Sequence, residues 1–152
     1  HDNGTIEITS NSIYSNLHPK NLVDYQNERS RYHSLSDGKA FICFDFKDKT
    51  VNLTSYQIKS NWNCDGSYNP KSWVIEVSND GEKFIEIDQH KNDLSLNKSS
   101  VISTYKIQKN SNKFFRFIRF RQTGESTTSN NNQFWFVFIE FYGQLNCMVN
   151  SK

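Results

Sequence analysis

The sequence predicts an all-β domain, a sandwich or barrel of short strands, and three observations carry that expectation. Aromatic residues form 14% of the chain against a hydrophobic fraction of only 35%, so twelve Phe, seven Tyr and three Trp supply most of the apolar area. Such side chains favour strands, where their bulk packs against a pleated face. Short alternating runs recur with turn residues between them, and long Ala/Leu/Glu/Lys stretches at helical spacing are absent. The 152 residues suit one core, and a single domain over 1–146 with a tail at 147–152 is expected.

The elements follow in order. Ile6 and Ile8 alternate with polar neighbours in Thr5–Thr9, which reads as a first strand. Asn11 to Asp37 is polar and irregular, and Pro19 bars a long helix there. Ala40–Phe46 puts Ile42, Phe44 and Phe46 on one face, and Leu53–Ser60 alternates through Tyr56 and Ile58. Asn61–Pro70 is a loop. Trp73–Ser78 reads as a half-buried strand with Trp73, Ile75 and Val77 on one side, ending at the hairpin signal Asn79-Asp80-Gly81.

Phe84, Ile85 and Ile87 begin the return strand, and Asp88–Ser100 is expected to be a polar connection. Val101–Ile107 resumes alternation, Phe114–Arg121 follows, Glu125–Gln133 is a polar loop, and Phe134–Tyr142 closes at Gly143. The stretches 114–121 and 134–142 are apolar on both faces in places, as central strands are. Arg116 and Arg119 inside the first need partners, because an unpaired buried charge is costly; Glu76, Asp45 and Glu140 are the candidates. Arg121, beside the loop, is free to serve either structure or binding.

Charge excludes some functions. A net charge of +2 comes from 18 basic residues interleaved with 16 acidic ones, so no basic face for nucleic acid is visible. No run approaches the roughly 18 apolar residues of a membrane span. The four histidines are scattered without metal-ligand spacing, and no phosphate-cradling glycine loop occurs, so an enzyme is not expected. Three sequons, at Asn3, Asn52 and Asn97, match what an Asn/Ser/Thr-rich chain produces by chance.

Cys43 lies in a strand-like run, Cys64 in a polar loop and Cys147 beyond the last expected strand. No cysteine precedes Cys43 to staple the chain ends, so a reducing, intracellular setting is favoured over secretion. The start at His1-Asp2-Asn3-Gly4 reads as a domain cut from a longer protein.

Five segments, in order, resemble the discoidin-like, or coagulation factor type C, domain of the galactose-binding-like superfamily. They are Asn21-Leu22-Val23-Asp24, Ala40–Phe46, Ser72–Gly81, Phe115–Phe120 and Ile139–Gly143. The likeness spans roughly residues 5 to 145, and its wording is similar to intracellular protist copies that follow a BTB region. The resemblance implies an antiparallel jelly-roll β-sandwich of about eight core strands, with binding loops at one end. The disulfide of secreted members is missing. Galactose-binding members often hold a structural calcium at Asp-Gly-Asn; here the matching segment is Asp24-Tyr25-Gln26-Asn27, leaving Asp24 and Glu140 as candidate ligands. No other cofactor is implied.

The loops carry the candidate binding residues. Arg29, Arg31, Tyr32 and His33 form one polar-aromatic group, Trp62, Asp65 and Tyr68 another, and Asn130, Asn131 and Asn132 lead to Trp135. The selected set is Arg29, Tyr32, His33, Trp62, Tyr68, Arg121 and Asn131, which the resemblance gathers at one end of the sandwich. Donors beside an aromatic platform suit a sugar, and Trp and Arg also anchor protein interfaces. A non-catalytic module for a protein partner is the first expectation, and a glycan-binding module the alternative. A membrane surface is disfavoured, because the loops lack apolar spikes flanked by basic residues.

Overall fold

Alternation along each strand separates a shared core from two outer faces. The computed structural model describes residues 5–26, 30–62 and 67–147. Within them lie β1 (Glu7–Ser10), a 3-10 turn (Pro19–Val23), β2 (Tyr32–His33), β3 (Phe41–Asp45) and β4 (Lys49–Ser60). Then come β5 (Trp73–Ser78), β6 (Ile85–His90), β7 (Ile102–Lys106), β8 (Phe117–Gln122) and β9 (Trp135–Cys147). They form a five-stranded sheet, β1-β3-β8-β5-β6, and a four-stranded sheet, β2-β9-β4-β7, with every pairing antiparallel. This is the expected sandwich.

Ile42 and Phe44 of β3, Trp73, Ile75 and Val77 of β5, and Ile118 and Phe120 of β8 meet Tyr56, Ile58, Phe136 and Ile139 of the other sheet in one core. Beyond these ladders, Val51 of β4 and Phe115 exchange backbone hydrogen bonds of 2.8 and 2.9 Å, joining β4 to the chain entering β8.

Several expectations change. All six residues of β5 are buried rather than half of them, because Arg119 and Arg121 of β8 close over its outer-facing Glu76. Residues 88–90, expected to be a connection, continue β6, and Asp88 is 1% exposed. The chain does not stop at Gly143: β9 runs to Cys147 by pairing with β4, which therefore starts at Lys49 rather than Leu53. A register shift lies between Leu53 and Ser55, and a Cβ at Gly143 would stand 2.0 Å from the Asn52 carbonyl oxygen. Only hydrogen fits there. The Asn79-Asp80-Gly81 signal does make the β5–β6 hairpin, with Gly81 at φ +76°.

The arginines are placed by charge. Arg116 holds Asp45 in a two-point pair at 2.7 and 2.8 Å, which keeps that carboxyl below the usual carboxylate range. Arg119 and Arg121 share Glu76, at 2.7 and 2.8 Å. Burial works against the charge on Glu76, but the two guanidiniums outweigh it and lower its pKa. Glu140, the third candidate partner, instead accepts the Tyr142 hydroxyl at 2.7 Å.

Candidate functional site

At the end of the four-stranded sheet where β4 finishes and β9 begins, a period of two sorts the residues. Tyr32 pairs with Phe136, and His33 with Trp135. Tyr32 and Phe136 point inward, edge to face with centroids 6.0 Å apart. His33 and Trp135 therefore point outward, where their rings stack at 5.1 Å and 14°. Arg31, two residues before His33, joins them. Its guanidinium carbon lies 4.8 Å from the Trp135 centroid and 5.3 Å from that of Trp62.

Trp62 follows the end of β4, meets Trp135 edge-on at 6.4 Å, and is 44% exposed. Tyr14 lies 4.7 Å from the other side of His33. Tyr68 tilts toward Trp135 at 6.0 Å. It adopts φ +63°, a conformation that a bulky residue holds only when its surroundings insist. Here the Trp135 amide donates to its carbonyl at 2.7 Å, and its own amide donates to the Thr128 hydroxyl at 3.0 Å. Next to it, the Asn69 amide donates to Thr127 and the Thr127 amide donates back to Asn69.

The polar atoms of this cluster are open in a particular way. Arg31 Nε, His33 Nε2 and Trp135 Nε1 are enclosed yet have no hydrogen-bond partner. No ion pair or side-chain hydrogen bond among the described residues engages the Arg31 guanidinium. Burial lowers the pKa of His33, with the Arg31 charge adding and the Gln133 side chain opposing, so the ring is neutral near pH 7. An orphaned buried polar atom normally costs about 1–3 kcal/mol. Here Arg31 Nε and the Trp135 indole N–H are donors, and His33 Nε2 donates or accepts according to the tautomer of its neutral ring.

The candidates thus divide. His33, Trp62 and Tyr68 are brought together. Tyr32, expected in a binding loop, is a core residue at 1% exposure, because it occupies the inward position of β2. Its hydroxyl donates to the Ser12 carbonyl at 2.5 Å, and burial raises its pKa to about 12. Arg121 lies on the outer face of the other sheet, bound to Glu76, away from the cluster. Asn131 shapes its own loop: its Oδ1 accepts the Gln133 amide at 2.7 Å and its carbonyl accepts the Ser126 amide at 2.9 Å. Arg29 and Asp65 lie outside the described residues, as does Cys64.

Asp24 is exposed at the end of the 3-10 turn, and Glu140 sits on β9 with Tyr142. Among the described residues, no three His, Cys, Asp or Glu side chains gather as metal ligands, and calcium takes six to eight oxygens. The cluster also contains Arg31, Trp135 and Tyr14, none of them in the set the sequence favours. The signal for Arg31 was there: it shares strand parity with His33.

Comparison with known structures gives the same architecture. The Clostridium perfringens module CpGH89CBM32-5, solved in complex with GalNAc-β-1,3-galactose, is 13% identical with a TM-score of 0.70, covering 92% of this chain and 96% of that one. CBM32-3 from a family 31 glycoside hydrolase of Clostridium perfringens is 17% identical with a TM-score of 0.71, covering 95% and 94%. The CBM32 of AlyQ, solved in complex with 4,5-unsaturated mannuronic acid, is 15% identical with a TM-score of 0.66, covering 90% and 93%. At these identities the likeness is one of fold. Residues 7–140, nearly the whole sandwich, match the model of the F5/8 type C domain, and the chain belongs to that family.

Proposed function

We propose that this domain is a non-catalytic glycan-binding module whose site is the cluster of Arg31, His33, Trp62, Tyr68 and Trp135. The observation that carries this reading is the set of three unpartnered nitrogens, on Arg31, His33 and Trp135, beside a Trp62 ring that is 44% exposed. A sugar offers hydroxyl oxygens to the donors and an apolar C–H face to the ring. Two of the neighbours named above were solved with saccharides, one a neutral disaccharide and one an unsaturated uronic acid, which supports the same class of ligand here.

This reverses the order in which the sequence ranked its two readings. A protein partner was expected first, on the grounds of a reducing compartment and the likeness to BTB-linked copies. Trp62 beside Arg31 also has the make-up of an interface anchor, so the test must separate the two.

The test is a glycan-array screen of the purified domain, with and without calcium, repeated with Trp62→Ala. Binding of defined saccharides by the wild type, lost in the variant while its melting temperature holds, supports the proposal. Binding that requires calcium would bring Asp24 and Glu140 in as ligands. A blank array from folded protein overturns the glycan reading and leaves the protein partner, to be sought by pull-down.

A further inference from the structure

The charge of the site narrows its ligand further, an inference that rests on the glycan reading above. Among the described residues Arg31 is the one cation of the cluster, and its guanidinium is held by aromatic faces, at 4.8 and 5.3 Å. Elsewhere in the described structure arginine meets a carboxylate: Arg116 meets Asp45, and Arg119 and Arg121 meet Glu76. Arg31 meets none. Its neighbour His33 is driven toward neutrality, so it adds no second cation, and among the described residues no carboxylate compensates the Arg31 charge.

The hydrogen-bonding sense points the same way. A guanidinium has five N–H donors and no acceptor, and an indole has a donor only. A sugar hydroxyl both donates and accepts, so beside Arg31 and the two indoles its own hydrogen must find an acceptor elsewhere, the unprotonated nitrogen of His33 being the one on hand. A carboxylate accepts only, presents two oxygens to the guanidinium fork, and makes bonds roughly twice as strong as neutral ones. The two indoles beside Arg31 also displace water, which strengthens the attraction.

We infer that the saccharide this site takes carries an oxyanion, its acceptor-only group facing the Arg31 guanidinium while a ring face rests on Trp62. A uronate carboxylate and a sulfate ester share that chemistry, and the test distinguishes them.

The intact chain is titrated by calorimetry with an oligouronate, with the neutral oligosaccharide obtained by reducing its carboxylates, and with a sulfated oligosaccharide of the same length. The expected result is at least about ten-fold tighter binding of one anionic ligand than of the neutral one, weakening several-fold between low and high salt. Which anionic ligand wins identifies the source of the oxyanion. Arg31→Gln should bring the anionic-to-neutral ratio close to one, and Arg31→Lys should restore part of it. Among the described residues only ring contacts hold the Arg31 side chain, so both variants should melt near the wild-type temperature, which is measured alongside.

Equal affinity for neutral and anionic ligands, or equal losses for both in Arg31→Gln, overturns this inference and leaves the glycan reading standing. Failure of every saccharide to bind folded protein overturns both.

Discussion

His90 Nε2 lies 2.9 Å from Asp88 Oδ2, a contact between two residues of the edge strand β6 that each also reach the aromatic core. The same carboxylate oxygen accepts the Tyr56 hydroxyl at 2.6 Å, and Tyr56 in turn accepts the Trp73 indole N–H at 2.9 Å. The His90 ring stacks on Trp73 at 4.6 Å, and its Nδ1 reaches Asp93 at 2.8 Å. Burial opposes a charge on His90, but hydrogen bonds to the two carboxylates outweigh it and raise the pKa.

That shift predicts a pH dependence of stability. A raised folded pKa means the charged ring stabilises the fold. The contribution is complete below the ordinary histidine value, about pH 6.5, and is lost as pH rises through the raised value. Melting temperature should therefore fall over that interval. His90→Gln should flatten the profile and cost about 1–3 kcal/mol. A flat wild-type profile would contradict the charged, clamped His90.

Glu76 should matter more than either arginine that it holds. Glu76→Ala strands two guanidiniums on adjacent outward positions of β8 and should cost about 2–3 kcal/mol, a value discounted for their partial exposure. Arg119→Ala should cost only about 1 kcal/mol, because Arg121 still satisfies the carboxylate. Chemical denaturation of the two variants decides the order. Since the Glu76 pKa is lowered, this stabilisation should disappear as pH falls below the ordinary glutamate range.

Gly143→Ala should be among the most damaging single changes to the described sheet. The new methyl would stand 2.0 Å from the Asn52 carbonyl oxygen, against the backbone of Asn52 and Leu53, so β9 must part from β4 at the register shift. A loss above about 3 kcal/mol is expected in urea denaturation. Wild-type stability would mean the strands do not approach so closely.

Tyr32 and Trp62 should behave oppositely. Tyr32→Phe removes the hydroxyl that donates to the Ser12 carbonyl and should cost about 1 kcal/mol without changing saccharide affinity. Trp62→Ala, at the exposed rim, should leave melting within a few degrees and abolish binding. Paired melting and titration of both variants test the inward and outward assignments together.

The strands show how much was legible. Local alternation was enough to find β3, the β5–β6 hairpin and β8, because each carries apolar residues at every second position toward the core, a period visible without knowing the partner. Asp45 and Glu76 were legible too as candidate partners, since arginine inside an apolar strand calls for a carboxylate of the neighbouring strands. The lengths of β4 and β9 were not. Residues 143–147 are mostly polar and exposed, and they are strand only because β4 pairs with them.

For the site, the sequence by itself determined the materials: Arg, His, Trp and Tyr collected in loops of an all-β chain. Which of them face a ligand was decided by tertiary structure alone. Tyr32 and His33 are adjacent in sequence yet lie on opposite faces of a two-residue strand, and only pairing with Trp135 and Phe136 sets which one turns outward. Residues 31, 62 and 135 meet because separate loops converge where β4 ends and β9 begins. Periodicity sorts side chains within one strand, whereas contact between distant segments depends on sheet order and register, which no local pattern contains.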